Sequence, residues 1–282
     1  MSSSVLLIGL GNMGRKYLKK FQELGLKPAL CDINSELQRE FEEYTFYCSF
    51  GDIEKTPETV FVMVNPKHHP SIAKHFLQRG SYVFLEKPPA LSYKEFADLV
   101  EEFGKENLGV SEIERYSYAL RGLDLKDLPV EKIEIFRLNR GKGYINPLWD
   151  LAWHDLYLLL YLFGNIKILS AERENEHLYT LRGTVGKGIP FALKVAWNYT
   201  PVRREWILRT SKGEIVLDFL NERRVENGVV TSERKGGDKL LEMVKDVLNR
   251  TYDGSSVERA LTLLGELERI APARGGYLKE KS

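Results

Sequence analysis

The segment that most constrains the fold of this chain is a glycine-rich turn near its start. The sequence Gly-Leu-Gly-Asn-Met-Gly over residues 9–14 follows the apolar run 5–8 and precedes a lysine-rich stretch. A second apolar run then ends at Asp32. We interpret this order as a strand, a tight turn, a helix and a second strand closed by a carboxylate. It is the layout that binds a dinucleotide.

The glycines of this turn have separate physical roles. Gly9 permits the tight turn, Gly11 lets the backbone approach a pyrophosphate, and Gly14 lets the helix pack closely on the strand. At the helix start, the N–H groups of Asn12 and Met13 can bind phosphate oxygens. The alternative is a strand-to-helix turn that binds no ligand.

Asp32 indicates which dinucleotide is bound. It lies 18 positions after Gly14, about where a carboxylate accepts a hydrogen bond from the adenosine ribose 2′-hydroxyl. A carboxylate there repels the 2′-phosphate of NADP, so we expect NAD as the cofactor.

Composition narrows the class of protein. The 282 residues include 41 basic and 40 acidic side chains, so the net charge of +1 indicates neither a nucleic-acid partner nor a membrane anchor. The two cysteines, Cys31 and Cys48, lack zinc-ligand spacing, and we expect no metal. The start of the chain lacks the basic residues of a secretory signal, and no apolar run can span a bilayer. We therefore expect a soluble, cytoplasmic protein.

The first part of the chain alternates short apolar runs with helical patterns. Strands are predicted at 5–8, 28–32, 59–64, 82–86 and 108–112, and helices at 14–24, 35–43, 72–79 and 93–105. This alternation predicts an α/β fold with a parallel sheet, a Rossmann dinucleotide-binding domain over residues 1–112.

The pattern changes after residue 112. A long helix is predicted at 149–163 and two further helices at 238–250 and 256–270. Strand-like runs fall at 132–139, 167–173, 177–185, 189–199, 205–210 and 214–220. We predict a second domain over residues 113–282, of α+β class with a mainly antiparallel open sheet. Because antiparallel sheets commonly expose one face, that face is a candidate subunit interface.

Lys87 is the first candidate catalytic residue. It follows the predicted strand 82–86 and precedes Pro88 and Pro89, so it emerges at the carboxyl edge of the sheet, where ligands bind. A lysine there can stabilise charge on a substrate oxygen during hydride transfer. The alternative is an exposed loop lysine.

Asp150 and His154 are the second candidate pair. Their spacing of four places both on one face of a helix. The imidazole can take the proton of a hydroxyl that is being oxidised, with the carboxylate as its support. The alternative is a buried histidine held by a neighbouring acid. Asp155 points away from His154, and we expect it to make a solvent or capping contact.

Together these motifs resemble the Gfo/Idh/MocA oxidoreductase family, which includes glucose–fructose oxidoreductase and inositol dehydrogenase. The markers are the glycine turn, Asn65-Pro66 with His69, the Glu86-Lys87-Pro88 sequence, and Asp150 with His154. The segments 113–116 and 161–164 are also similar to the family. Three positions depart from its pattern: Asn65 replaces Thr, Ala152 replaces Gly, and Tyr157 replaces Asp.

The resemblance implies an NAD(P)-dependent dehydrogenase that transfers hydride between nicotinamide C4 and a secondary hydroxyl of a sugar, polyol or related molecule. It implies that Lys87 contacts the reacting oxygen, that His154 is the acid–base group, and that Asp150 orients it or the substrate. It further implies a cis Lys87–Pro88 bond and a homodimer or homotetramer.

The resemblance also implies contacts with the cofactor, whereas the substrate contacts are our own interpretation of the sequence, in which aromatic side chains either stack on a sugar ring or belong to the core. Besides the glycine turn and Asp32, the expected cofactor contacts are Asn65, Pro66, His69, Glu86 and Lys87. Candidate substrate contacts are Arg115, Tyr116, Tyr144, Asn146, Trp149, Trp153 and Tyr157. Arg203 and Arg204 either bind an acidic substrate group or face solvent.

Two other functions stay open at this point. A sensor on the same fold would bind NAD without turnover, although the joint presence of Lys87, Asp150 and His154 argues against it. An imine or bile-pigment reductase would use the same two-domain plan, although Asp150 and His154 favour hydroxyl chemistry.

Overall fold

The computed structural model describes residues 4–125, 128–143 and 145–271. These residues pack as two compact units. The first comprises residues 4–111 and 240–261, and the second comprises the described residues of 112–239 and 262–271. Residues 240–261 therefore pack with the first unit, although they lie within the predicted second domain, 113–282. The domain boundaries at 112 and 113 stay a prediction.

The first unit is built around a six-stranded parallel sheet. Its strands are β1 (Val5–Ile8), β2 (Ala29–Cys31), β3 (Phe46–Tyr47), β4 (Thr59–Val62), β5 (Tyr82–Leu85) and β6 (Leu108–Val110). Its first four helices are α1 (Asn12–Glu23), α2 (Leu37–Glu40), α3 (His69–Leu77) and α4 (Tyr93–Phe103). Single 3-10 turns lie at Phe50–Asp52 and Pro66–His68.

The strand order of this sheet is β3-β2-β1-β4-β5-β6. Every residue of β1, β4 and β5 is buried, as expected for a parallel sheet covered by helices on both faces. The order reverses between β1 and β4, and ligands bind beyond the carboxyl ends of the strands at such a point. The glycine turn leaves β1 at this point, and Asn65 follows β4 there.

The second unit contains an eight-stranded sheet. Its strands are β7 (Val130–Leu138), β8 (Ile166–Arg173), β9 (Leu178–Val185), β10 (Ile189–Ala196), β11 (Arg203–Thr210), β12 (Gly213–Asp218), β13 (Arg223–Glu226) and β14 (Val229–Glu233). Their order is β14-β13-β12-β11-β7-β10-β9-β8, and all neighbours are antiparallel except β7 and β10. The predicted fold class, a parallel Rossmann sheet followed by a mainly antiparallel sheet, is confirmed.

The remaining helices complete the two units. They are α5 (Pro147–Asp150), α6 (Ala152–Phe163), α7 (Lys239–Leu248) and α8 (Ser256–Ile270), with 3-10 turns at Ile113–Tyr116 and Tyr118–Leu120. The boundary between the units falls within α8. Among the described residues, no helix has the length and apolar character needed to cross a membrane.

Three local predictions differ from the structure. The helix predicted at 35–43 is reduced to the single turn of α2, which buries no residue and so lacks the packing that stabilises short helices. The helix predicted at 149–163 begins earlier and is interrupted at Leu151. The hairpin of β13 and β14 was missed because its strands are rich in charge, although its Asn227-Gly228 turn is a strong hairpin signal.

Candidate active site

The glycine turn is shaped by close backbone packing. Gly9 has a φ of +90°, and a Cβ there would lie 2.8 Å from the carbonyl oxygen of Met63. A Cβ on Gly14 would overlap the carbonyl oxygen of Gly9. These two positions therefore accept only glycine, for the packing reasons that the sequence suggests.

Gly11 differs from its neighbours because it is exposed, and a Cβ at this position would have no neighbouring atom within 4 Å. The residue is the N-cap of α1, and no side chain caps this helix start. Asn12 is also exposed, and Met13 is partly so. An open backbone at an uncapped helix start fits a pyrophosphate.

Asp32 has a structural role that was not foreseen from the sequence. Its Oδ2 accepts a hydrogen bond of 2.7 Å from the N–H of Leu10, and its Oδ1 accepts one of 2.9 Å from the N–H of Asn34. The carboxylate thus ties the glycine turn to the end of β2. Since each carboxylate oxygen can accept two hydrogen bonds, Asp32 retains capacity for a ribose hydroxyl.

Lys87 stands out from a buried segment. Within residues 81–90 it alone is not buried, and its peptide bond to Pro88 is cis. The Oε2 of Glu86 accepts from the Lys87 N–H at 3.0 Å, and Oε1 accepts from the Tyr17 hydroxyl at 2.9 Å. Burial and the neighbouring Glu86 carboxylate raise the pKa of Tyr17 well above its usual value. Glu86 therefore anchors the backbone from which Lys87 emerges.

The end of β4 is held by two predicted cofactor residues. The side-chain oxygen of Asn65 accepts from the Lys67 N–H at 3.1 Å and caps the turn that begins at the buried Pro66. His69 has no exposed surface, and its Nε2 lies 3.0 Å from the Val64 carbonyl oxygen. Burial lowers the pKa of His69 to about 4. The structure gives His69 a supporting role, and its contact with a cofactor stays a prediction.

Asp150 and His154 also stand out from a buried segment. Within residues 147–160 of α5 and α6, they alone are not buried. Leu151, where the helix is interrupted, keeps right-handed helical angles (φ −84°, ψ −46°). The one-turn spacing between Asp150 and His154 is therefore kept. The His154 ring meets Tyr157 edge-on, with 6.1 Å between the ring centroids.

The prediction for Asp155 was wrong. Its carboxylate is 1% exposed and pairs with Arg137, with Nε to Oδ2 at 2.6 Å and Nη2 to Oδ1 at 3.0 Å. The indole N–H of Trp206 donates to Oδ1 at 2.8 Å. Asp155 thus fastens α6 to β7 and β11. This pairing was not predicted because the partners are distant along the chain.

This ion pair belongs to a buried network of charges. Glu114 accepts from Arg137 Nη1 at 3.1 Å and from Lys239 Nζ at 2.6 Å. Burial disfavours the charge of Glu114, but Arg137 and Lys239 outweigh it and lower the pKa of this carboxyl to about 2. Although burial also disfavours the Arg137 cation, Asp155 and Glu114 raise its pKa above the usual value.

The candidate substrate residues separate into two groups. Trp149, Trp153 and Tyr157 are at most 2% exposed and pack in the core of the second unit. The Tyr157 hydroxyl accepts from the Glu114 N–H at 2.7 Å. The contact of these three residues with substrate stays a prediction.

The other candidates lie nearer the surface. Arg115 and Tyr116 are partly exposed, and Arg115 pairs with Glu112 at 3.1 Å. Asn146 caps α5 through the N–H of Leu148, and Tyr144 lies outside the described residues. No group of three or more His, Cys, Asp or Glu side chains in the described part of the chain is placed to hold a metal ion.

Comparison with known proteins supports the chemistry of the first unit. Residues 3–112 match the model of the Gfo/Idh/MocA family, described as an oxidoreductase family with an NAD-binding Rossmann fold. Among curated protein sequences, none matches the chain. The fit of the glycine turn and Asp32 to a dinucleotide agrees with this family's cofactor.

Solved structures share the fold over nearly the whole chain. One is the UDP-N-acetylglucosamine 3-dehydrogenase GnnA from Acidithiobacillus ferrooxidans, with 21% identity, a TM-score of 0.81, and coverage of 96% of this chain and 98% of that one. Another is the D-galactose-1-dehydrogenase from Rhizobium etli, with 17% identity, a TM-score of 0.80 and coverage of 96% of both chains.

A third is the WlbA dehydrogenase from Bordetella pertussis in complex with NADH and UDP-GlcNAcA. It has 16% identity, a TM-score of 0.80, and coverage of 97% of this chain and 96% of that one.

At these identities the likeness to solved structures shows the fold, and the family match adds the cofactor and the class of chemistry. Residues 3–112 thus match the NAD-binding Rossmann unit of the Gfo/Idh/MocA family of oxidoreductases, and the fold of the whole chain is shared with solved dehydrogenases.

Proposed function

We propose that the protein is an NAD-dependent dehydrogenase that oxidises a secondary hydroxyl of a sugar-like substrate, or reduces the corresponding carbonyl. The observation that carries the proposal is the exposure of three residues. Lys87, Asp150 and His154 alone are partly exposed in two segments, 81–90 and 147–160, that are otherwise buried. Polar side chains on rigid, buried elements are suited to hold a reacting group in a fixed position.

Each residue has a chemical role in this proposal. The glycine turn and Asp32 would hold NAD, which would supply the acceptor for the hydride of the carbinol carbon. The Lys87 ammonium donates a hydrogen bond to the reacting oxygen and stabilises the negative charge that develops there. The His154 imidazole takes the hydroxyl proton, and Asp150, one turn earlier, supports the imidazolium that forms. In the reducing direction the same groups return the proton to the oxygen.

The sugar-like substrate is supported by the solved structures with this fold. One acts on UDP-N-acetylglucosamine, one on D-galactose, and one was solved with UDP-GlcNAcA.

We further propose a homodimer or homotetramer that forms through the second sheet. Buried Trp206 and Leu208 define one face of β11, and partly exposed Ile207 lies on the other. Ile207 pairs with Val216 of β12, which gives this face an apolar centre. Sedimentation of the wild type and of Ile207→Glu tests the assembly, since a monomer in both contradicts it.

The cellular setting that we propose is the cytoplasm. Both cysteines are free thiols, which suits a reducing compartment.

The test of the activity is NADH formation from NAD across inositols, aldoses, aldonates and nucleotide sugars. We expect turnover on one subclass and its loss in Lys87→Ala. Lys94→Ala is the matched control, because Lys94 is an exposed lysine of α4 paired with Asp98. Tight NADH binding without turnover on any compound would favour a sensor or an imine reductase.

The cofactor preference has its own test. Asp32→Ala removes the carboxylate that repels a 2′-phosphate, so the ratio of kcat/KM for NAD to that for NADP should fall about tenfold. Glu36→Ala, an exposed acid of the same loop, should leave the ratio unchanged. A wild-type protein that already prefers NADPH contradicts the assignment of Asp32.

A further inference from the structure

Two adjacent arginines of β11 have opposite environments. Arg203 pairs with Glu205, with Nε to Oε1 at 3.0 Å, and its guanidinium stacks on Phe136 at 3.7 Å from the ring centroid. Since successive side chains of a strand point to opposite faces, Arg204 lies on the face of Trp206. That is the face that carries the Arg137–Asp155 pair and α6.

Arg204 lies in a region of excess positive charge. It is directly opposite Arg137 in the pairing of β11 with β7. Its Nε donates to the side-chain oxygen of Asn139 at 2.9 Å. Burial and the charge of Arg137 lower the pKa of Arg204, and the carboxylates of Glu114 and Asp155 offset only part of this effect. A guanidinium nevertheless stays protonated in proteins, so an anion beside it would be stabilising.

Other enclosed arginines of this unit have protein partners that neutralise or satisfy them. Arg137 is held by Asp155 and Glu114. Arg224 donates to Glu226 and to the Arg121 carbonyl. Arg115 pairs with Glu112. Arg204 makes no ion pair with any residue in the described ranges, and its hydrogen bond to Asn139 uses Nε, which leaves the two Nη groups for another acceptor.

Arg204 is also linked to the proposed catalytic helix. Its neighbour Arg137 grips Asp155, and Asp155 directly follows His154 in the first turn of α6. Trp206, two residues along the same face of β11, bonds the same carboxylate. The partly buried guanidinium therefore lies on the sheet face whose Arg137 and Trp206 hold Asp155, the residue after His154.

From these contacts, and resting on the proposed function, we infer that Arg204 determines specificity by binding an anionic group of the substrate. The planar guanidinium matches carboxylate and phosphate oxygens. The substrate class is therefore a hydroxylated sugar that carries a carboxylate or a phosphate. Asn139 fixes one edge of the guanidinium and so orients the other donors toward the anion.

The inference is tested with a matched series of D-glucose, D-glucuronate and glucose 1-phosphate. The enzymes compared are the wild type, Arg204→Gln, Arg204→Lys and the control Arg234→Gln, which alters an exposed arginine that follows β14. We expect the wild type to have a higher kcat/KM for one anionic member than for D-glucose. Whether that member is the uronate or the phosphate distinguishes the two sources of the anion.

In Arg204→Gln, kcat/KM for the anionic member should fall about 10- to 100-fold, the range for a lost charge-assisted hydrogen bond. The loss should appear mainly in KM, while D-glucose changes less than about threefold. Arg204→Lys should recover part of the loss because the charge is retained. Arg234→Gln should behave as the wild type. Equal losses for neutral and anionic members, or no wild-type preference for an anion, would overturn the inference.

A binding measurement separates this inference from the proposed function. Calorimetric titration of D-glucuronate and of glucose 1-phosphate into the NAD complex needs no turnover. Binding by the wild type that is lost in Arg204→Gln supports the anion site even if no substrate is oxidised. Turnover of neutral sugars, without binding of either anion, overturns the anion site and leaves the dehydrogenase standing. Thermal unfolding of each variant verifies that it is folded.

Discussion

The two units hold their exposed polar residues by different physical means. In the first, Lys87 emerges from an apolar strand, and its backbone is anchored by one carboxylate, Glu86, which Tyr17 also bonds. In the second, His154 lies in a helix fastened by the buried charges of Asp155, Arg137 and Glu114. The Glu86 carboxylate keeps one donor when the other is lost, whereas removal of one partner from the Asp155–Arg137 pair leaves a buried charge with less compensation.

Among the variants that test this difference between the units, Asp155→Asn should have the largest effect on the free energy of unfolding. The change leaves the Arg137 cation buried with less compensation, and removing one partner of a buried pair costs about 3–5 kcal/mol. Urea unfolding should show this loss in the free energy of unfolding. Replacing both residues, as in Arg137→Met with Asp155→Leu, should cost less than Asp155→Asn alone. A single-variant loss below about 1 kcal/mol would contradict the network's role.

Lys87→Ala should show the opposite behaviour, with a large kinetic effect and little change in stability. Removing a donor to a developing oxyanion lowers kcat about 100- to 1,000-fold. The affinity for NADH, measured by fluorescence titration, should stay near the wild-type value. A large fall in the free energy of unfolding would show that Lys87 is a structural residue and would erase the contrast between the units.

The two units should lose stability in different ranges of pH. His69 has a pKa of about 4 in the fold against 6.5 ordinarily, so the unfolded chain binds the proton first as pH falls. Its contribution is complete above pH 6.5 and is lost between about pH 6.5 and pH 4. Glu114 has a pKa of about 2 against 4.5, so its contribution is lost between about pH 4.5 and pH 2. Each amounts to about 3 kcal/mol at most.

Variants assign the two phases of this pH dependence. His69→Gln should remove the phase above pH 4, and Glu114→Gln should remove the phase below pH 4.5, as measured by urea unfolding at a series of pH values. The exposed His68→Gln is the control for the first phase. Persistence of either phase in its own variant would contradict the assignment.

Tyr17→Phe should have the smallest effect. It removes one hydrogen bond to the buried Glu86 carboxylate, which costs about 1.5–3 kcal/mol in the free energy of unfolding. The remaining bond from the Lys87 N–H keeps Glu86 in place, so kcat should change little. A loss comparable to that of Asp155→Asn would show that the two units are held in the same way after all.

Much of the first unit is predictable because its signals are local. The glycine turn, the buried strands and the cis bond before Pro88 all follow from short stretches of sequence or from the family they resemble. The second role of Asp32, as acceptor for the Leu10 and Asn34 N–H groups, was not predicted. It depends on how closely β2 approaches the glycine turn.

The second unit is less predictable because its decisive contacts join distant residues. Helical spacing places Asp155 away from His154, but it does not say whether that direction leads to water or to Arg137. Strand alternation likewise places Arg203 and Arg204 on opposite faces without saying which face α6 covers. The sequence by itself determined the fold class and the cofactor turn, and it singled out Lys87, Asp150 and His154 as candidates. Only the tertiary structure decided which charges are buried together, because burial depends on the packing of strands far apart along the chain.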